Sequence, residues 1–289
     1  MLRKPGKVRL DKKSSKRVYS DRHVPVLERR TECFLRVAET AQEKEDEVLT
    51  AHLKNLFQEG RGTYGTRRLK RKLTELGYIV SRRRIGRLMK RAGLHCKTRR
   101  KCKVTTDSKH SQPIAPNRLE RQFDVDQPNQ TFVGDITVIE TQEGWLYLAV
   151  VIDLYSRQVV GWSMDQRMPA KLVNDALLMA IWSRKPAKGL IWHTDRGSQY
   201  ASDSHRQILK QHGIIQSMSR KGDCWDHAVS ESFFHTLKIE LVHHCQFKTP
   251  AQAKHQIFEY IEVFYNRIRI HSANDYLSPV DYENRQISA

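Results

Sequence analysis

Apolar side chains recur at helical spacing between residues 32 and 58, with Val48, Leu49, Leu53 and Phe57 marking the stripe. The pattern predicts an amphipathic helix. After Thr63, Tyr64 and Gly65 a second helix is predicted over 66–76, with Leu69, Leu73 and Leu76 on one face and Gly77 as its stop. A short extended stretch, 78–80, leads to Ser81, a fitting N-cap for a third helix that turns Ile85, Leu88 and Met89 inward and ends at Gly93. Two short helices about a Gly-containing turn form a helix-turn-helix pattern.

Beyond residue 125 the pattern changes. Residues 131–139 and 145–154 are rich in Val, Ile and aromatics, and the second run is apolar enough to lie inside a sheet. A third strand is predicted over 157–164, then a helix over 169–182, a strand over 190–194, a helix over 202–212 and a strand over 214–217. Two long helices follow, 226–242 and 250–266, the latter with Thr249 as cap and Pro250 at its first position. Three meandering strands followed by alternating helix and strand predict a mixed α/β sheet flanked by helices. Residues 1–30 are basic, poor in apolar positions and broken by Pro5, Gly6 and Pro25, which reads as an irregular arm. Residues 104–124, polar and carrying Pro113 and Pro116, read as a linker. The chain thus divides into a basic arm (1–40), an all-α helix-turn-helix domain (41–103), a linker (104–124) and an α/β domain (125–289).

Composition changes this picture in one respect. The 289 residues carry a formal net charge of +19, and residues 1–120 hold 33 Lys+Arg against 13 Asp+Glu. Residues 61–103 alone hold 17 basic residues and one acid, Glu75. A basic module beside a near-neutral domain points to a polyanion as partner. The third helix opens with Arg82, Arg83, Arg84 and Arg87, placed where a recognition helix enters the major groove; Arg67 and Arg68 open the second. With 39% apolar residues the chain can bury a core, which excludes wholesale disorder. No apolar run approaches the roughly 20 residues of a membrane helix, and no apolar stretch follows the charged N-terminus as in a secretory signal. Five scattered cysteines, Cys33, Cys96, Cys102, Cys224 and Cys245, read as reduced thiols of a cytoplasmic protein. His95, Cys96, Cys102 and His110 fit no common zinc spacing.

The carboxylates carry the candidate chemistry. Asp135 sits mid-strand in an apolar run, a costly position unless it meets a partner, a metal or water. Asp195 follows the strand 190–194 and opens into a Gly-containing loop. Glu231 projects away from the stripe Val229, Phe233, Leu237 and Leu241, and Lys238, seven residues on, returns to the same polar face. Three converging carboxylates repel by about 4 kcal/mol per pair at ~4 Å and an effective dielectric of ~20. A divalent cation resolves this, and an all-oxygen set suits Mg²⁺ or Mn²⁺. Two such ions beside a DNA-binding module are the apparatus of in-line phosphoryl transfer. Asp153 is a rival strand acid, whereas Asp223 and Asp226 read as caps of the following helix.

The constellation resembles the catalytic core of the DDE transposases and retroviral integrases, and in particular the second-reading-frame transposase subunit of bacterial insertion sequences. Asp195 and Glu231 have 35 residues between them, the separation typical of that superfamily, and Lys238 falls at its basic position. The resemblance continues through Gly134-Asp135-Ile136-Thr137, His193-Thr194-Asp195-Arg196-Gly197, Cys224-Trp225-Asp226, Glu231-Ser232-Phe233-Phe234, Tyr265-Asn266 and Ser278-Pro279, and upstream through Tyr64-Gly65 with Arg67-Arg68. Phe132, His227 and Asn274-Asp275 depart from the commoner residues, and none of them touches the three acids. The resemblance implies an RNase H-like fold, with Asp135, Asp195 and Glu231 as catalytic residues and ligands of two Mg²⁺ or Mn²⁺ ions. It also implies cleavage at the ends of a mobile element followed by strand transfer. The partners implied are the element ends and target DNA, further copies of the chain on that DNA, and a small helix-turn-helix protein of the upstream frame, in the bacterial cytoplasm at the nucleoid. Lys238, Arg67, Arg68, Arg82, Arg83, Arg84 and Arg87 are the expected DNA contacts. Two other readings of the same residues are an RNase H-fold nuclease that does not join strands, and a non-catalytic DNA-binding regulator of transposition.

Overall fold

The computed structural model describes residues 24–97, 112–220 and 224–287, with backbone alone at 24–41, 224–225 and 286–287. Most of the basic arm, the linker before Gln112, Asp223, Cys102 and His110 lie outside the described residues. The chain parts into two compact units at Ala51.

Helix α1, Val24–Glu59, begins earlier than the apolar stripe predicted. Residues 24–30, expected to be irregular, are helical, with Pro25 in the first turn, where its missing N–H costs no hydrogen bond. Leu49, Leu53 and Leu56 are its buried positions, so of the predicted stripe Leu49 and Leu53 hold, Val48 faces outward, and Leu56 takes the buried place expected of Phe57, which is half-buried.

Helix α2, Thr66–Glu75, buries Leu69 and Leu73, and helix α3, Arg82–Arg91, buries Ile85, Leu88 and Met89. Ser81 caps α3 by accepting from the Arg84 N–H at 3.2 Å. Gly77 and Gly93 both take positive φ just past the helix ends, at 87° and 66°, the backbone state that glycine adopts without steric penalty.

The α/β part is built on a five-stranded sheet of order β3-β2-β1-β4-β5. Strand β1, Thr131–Thr141, pairs antiparallel with β2, Gly144–Asp153, which pairs antiparallel with β3, Val159–Asp165. Strands β4, Ile191–Thr194, and β5, Ile215–Met218, add in parallel, so the sheet is mixed as expected. Helices α4, Ala170–Arg184, α5, Ser198–Ala201, and α6, Asp203–His212, accompany the parallel strands. Alternation along β1 and β2 divides the core: Phe132, Ala149, Val151 and Trp192 share one cluster with α4 and α5. Val133, Leu148, Val150 and Ile152 share the other with α7, Ala228–Glu240, and α8, Pro250–Glu259.

The C-terminal helices differ from the predicted pair. A 3₁₀ turn, Cys224–His227, precedes α7, and the predicted 250–266 helix widens into a π segment, Tyr260–Tyr265. Bonds such as Asn266 N–H to the Ile261 carbonyl skip one extra residue, and the wider turn buries Tyr260, Ile261, Phe264 and Tyr265 together. Asn266 then clamps β3, donating to the Val159 carbonyl at 2.9 Å and accepting from its N–H at 3.0 Å. A last helix, α9, Pro279–Ile287, was not predicted, although Ser278, whose hydroxyl accepts from the Asp281 N–H, and Pro279 are start signals.

Candidate active site

Strand register brings two of the acids side by side. Strands β1 and β4 run in parallel with Val133 opposite His193, and Asp135 and Asp195 each lie two residues further on. Asp135 shares its face of β1 with Val133, the face covered by α7, and Glu231 stands in the first turn of that helix. Close packing makes the placement possible. A Cβ on Gly134 would meet the Trp192 ring at 2.1 Å, and one on Gly197 would lie 2.9 Å from Asp195 Oδ1. Only glycine lets the indole lie against β1 and the loop fold back on Asp195, whose Oδ1 accepts from the Gly197 N–H at 2.9 Å.

Electrostatics register the convergence. The Asp135 carboxyl is pushed up to about 8, first by burial, then by the charge of Asp195 and, less strongly, of Glu231. The Ile136 N–H, 2.7 Å from Oδ1, and the Lys238 ammonium oppose the rise without cancelling it. Glu231 is solvent-exposed in fold terms yet also raised, by partial burial of its carboxyl. Among the described residues no three His, Cys, Asp or Glu side chains stand close enough to enclose one ion. Asp195 acts on Asp135 more strongly than Glu231 does, and Glu231 is the exposed member of the three. The donor set, oxygen throughout and carrying unrelieved like-charge repulsion at Asp135, fits a hard divalent cation.

The rival acids are otherwise engaged. Asp153 is fully buried, accepts from the Asn129 and Tyr155 N–H groups at 2.8 and 2.9 Å, and faces Arg184. Asp226 is not the helix cap it was expected to be. Its carboxylate receives the Arg220 N–H and guanidinium, Arg121 Nε and Asn117 Nδ2 at 2.9–3.2 Å, which ties the loop before α7 to the segment entering the sheet.

Sequence reading gave no role to three residues near the acids, and it set His227 apart from them although the Asp195 charge acts on its ring. Tyr200, buried against Trp192 and His205, has its phenol raised well above its ordinary range by burial and by the charges of Asp135 and Asp195. His193 bonds Ser217 Oγ at 2.8 Å and lies 5.3 Å from the His227 ring. Burial pushes both imidazoles down, His193 to about 4, against the pull of Asp226 on each and of Asp195 on His227. His193 and Tyr200 flank the Asp-Arg-Gly word, and their proximity to Asp195 was the available signal.

On the basic side, Arg82, Arg83 and Arg87 are exposed and Arg84 is half-buried. The first turn of α3 holds no acid, so its cations stand at the positive end of the helix dipole, an arrangement that a polyanion relieves. Arg67 is exposed, but Arg68 is not presented with it: its guanidinium turns inward over the Tyr64 ring, 5.6 Å from the centroid. Lys238 is half-buried on α7 and acts on Asp135. Cys96 bonds the Tyr64 carbonyl and Cys245 is also a free thiol.

A mixed sheet with one acid on its central strand, a second directly after the neighbouring strand β4 and a third on the covering helix has the form of an integrase-type core, here preceded by a helix-turn-helix module. Residues 125–224 and 231–287 match Integrase core domain families, and residues 43–101 match the HTH-like domain family. The chain is 46% identical over 244 residues to the insertion element IS600 uncharacterized 31 kDa protein of Shigella sonnei, covering 84% of this chain and 90% of that one. It is 44% identical to the transposase for insertion sequence element IS904 of Lactococcus lactis (84% and 96% covered) and 45% identical to transposase InsF for insertion sequence IS3A of Escherichia coli (80% and 81%). The chain belongs to this family of insertion-sequence transposases. Among solved structures it is similar to a chain of the simian T-cell lymphotropic virus intasome complex with PP2A regulatory subunit B56 gamma, at TM-score 0.48 and 17% identity, covering 61% and 60%. A second is the HTLV-2 integrase catalytic core domain in complex with magnesium, at TM-score 0.43 and 16% identity, covering 54% and 97%. Among the described residues no helix is long and apolar enough to cross a membrane.

Proposed function

We propose that the chain cleaves DNA at the ends of an insertion sequence and transfers the freed strand to a new phosphodiester, with Asp135, Asp195 and Glu231 as its catalytic acids. The observation that carries this reading is the register of β1 and β4, which leaves Asp135 and Asp195 each two residues beyond the paired Val133 and His193, with Glu231 on the helix over the same face. The raised Asp135 carboxyl, on which both other acids act, agrees with it. A fold keeps such a repulsive set at a cost in stability, and Mg²⁺ or Mn²⁺ ions, two of them by the resemblance, would relieve it. When bound, these ions supply activation of the attacking oxygen and stabilisation of the departing one.

The protein's own groups do the rest. The Ile136 N–H orients the Asp135 carboxylate and the Gly197 N–H orients that of Asp195, so both present fixed oxygens. Lys238, on the helix of Glu231, is placed to take a DNA phosphate that approaches the acids. Arg82, Arg83, Arg84, Arg87 and Arg67 bind backbone phosphates of the element end, and the major groove is read from the start of α3. Joining two ends calls for several copies on DNA, and a helix-turn-helix partner from an upstream frame is consistent with this division of labour.

The test is a Mg²⁺-dependent cleavage and strand-transfer assay on the DNA flanking the coding frame. Wild-type protein is expected to nick at the element end and give joined product, while Asp195→Asn gives neither and binds the same DNA at least as tightly. Cleavage by Asp195→Asn refutes the assignment of the acids. Hydrolysis with no joined product makes the protein a nuclease, and binding alone makes it a regulator.

A further inference from the structure

The helix-turn-helix segment is fastened to the catalytic part at both of its ends. Before α2, Tyr64 is completely buried, its hydroxyl donating to the Ile268 carbonyl at 3.0 Å and accepting from the Ile270 N–H at 3.2 Å. Beside it Arg61 pairs with Glu259 of α8, with Nη1 2.7 Å from Oε2, and its guanidinium lies 4.4 Å over the Phe264 ring. After α3, Lys97 Nζ donates at 2.6 Å to the carbonyl of Glu240, the last residue of α7. Helix α7 then runs back from Glu240 to Glu231, nine residues or about 14 Å along a straight rod. The contacts join residues about 140–205 apart in the chain. They use a buried phenol, an ion pair with a ring beneath it, and a cation on a helix C-terminus, where the dipole favours positive charge.

We propose that Tyr64, Arg61 and Lys97 form a rigid joint that sets the distance between the bound element end and the acids, and so selects which phosphodiester is cut. They are positioning residues: none lies at the acids, and their action passes through α7 and α8. The inference rests on the function proposed above, which it deepens. With the recognition helix anchored at both ends of its module, the spacing is built into packed helices and does not depend on the linker. Arg68 belongs to the same joint, stacked on Tyr64 and half-buried beside Arg269 and Glu240, which accounts for its inward turn.

The experiment uses the full chain with Glu259→Arg, Arg61→Glu and the combined swap, and Tyr64→Phe beside them. Cut positions on end-labelled element DNA are mapped at nucleotide resolution, and the distance distribution between labels at Lys90 on α3 and Lys171 on α4, both exposed and outside the proposed DNA contacts and acids, is measured in the same proteins. Wild type is expected to show one narrow distance and one dominant cut. Each single charge reversal should broaden the distance and lower the fraction cut at the dominant position at least threefold, and the swap should restore both. Tyr64→Phe, which keeps the ring and removes both hydrogen bonds, should broaden the distance less. Single variants that cut more slowly but at the unchanged position overturn the proposal, as does a broad wild-type distance. A narrow wild-type distance in a protein that cuts no element DNA counts against the transposition reading and leaves the joint standing.

Discussion

Gly134→Ala tests how tightly the site is built. An added Cβ would sit 2.1, 2.6 and 3.0 Å from Cη2, Cζ2 and Cζ3 of Trp192. Carbon atoms rest at about 3.5–4.0 Å, so the indole has to retreat by roughly 1.4 Å or β1 has to bow away from it. Neither is free. Trp192 is buried, its Nε1 donates to His205 Nε2 at 2.9 Å, and His205 Nδ1 is held by Asn174 Oδ1 at 2.8 Å. Overpacking of this kind costs about 1–3 kcal/mol, and loosening one buried hydrogen bond adds about 1 kcal/mol. A total near 3 kcal/mol lowers Tm by about 6–12 °C in a unit of this size. Thermal unfolding by circular dichroism measures it. The control is the same change in a Trp192→Leu background, where the obstructing ring is gone and the cost of Gly134→Ala should fall below about 1 kcal/mol. Equal losses in the two backgrounds, or a Tm within 2 °C of wild type for the single change, refute the packing argument.

Three other outcomes follow from named contacts. Glu240→Ala leaves the Arg269 guanidinium, now bonded by both Glu240 oxygens at 2.8–3.1 Å, buried without its counter-charge, so chemical denaturation should show a loss of about 3–5 kcal/mol. Hydrogen bonds from Arg220, and then from Arg121, hold the Asp226 carboxyl below the usual carboxylate range. Its folded value is the lower one, so its contribution is complete above the unfolded value of about 3.9 and is lost as pH falls below that. Asp226→Asn should therefore flatten the decline in stability between about pH 4 and pH 2, and an unchanged acid limb rejects the assignment. Replacing Arg83 and Arg84 by Ala should reduce the slope of log affinity against log salt by about 1.8 if each contacts one phosphate, and an undiminished slope moves the DNA surface elsewhere.

The places of Asp135 and Asp195 in the fold were legible in the sequence for a physical reason. A charged residue inside a strand of Val, Ile and Phe, as Asp135 is, has few structural uses, and an acid placed directly after a short strand, as Asp195 is, has an end of the sheet to face. Element types were legible where periodicity was long and clean, as in β1, β2 and the apolar stripe of α7. Boundaries failed where packing decided them. The π segment over Tyr260–Tyr265 was not legible because the buried positions Tyr260, Ile261, Phe264 and Tyr265 also fit one face of an ordinary helix, so periodicity does not distinguish the two. Asp226 was misread as a cap because Asp before a helix ordinarily is one, whereas Asn117, Arg121 and Arg220 claim its oxygens first.

Charge counting has a similar blind spot, and it bears on how the DNA surface is drawn. Arg61, Arg68 and Lys97 lie in the same basic run as Arg82, Arg83 and Arg87, and composition cannot tell the groups apart. The structure can. The first three turn toward Glu259, Tyr64 and the Glu240 carbonyl, in contacts that satisfy a cation without any polyanion. Arg82 and Arg83 instead stand in the open in the first turn of α3, at its positive end, and Arg87 lies exposed one turn further on. A chain selected for stability alone would place acids there. On the proposed function, the energetically poorer choice is the one assigned to phosphate, while the satisfied cations are those of the proposed joint between that surface and Asp135 and Asp195.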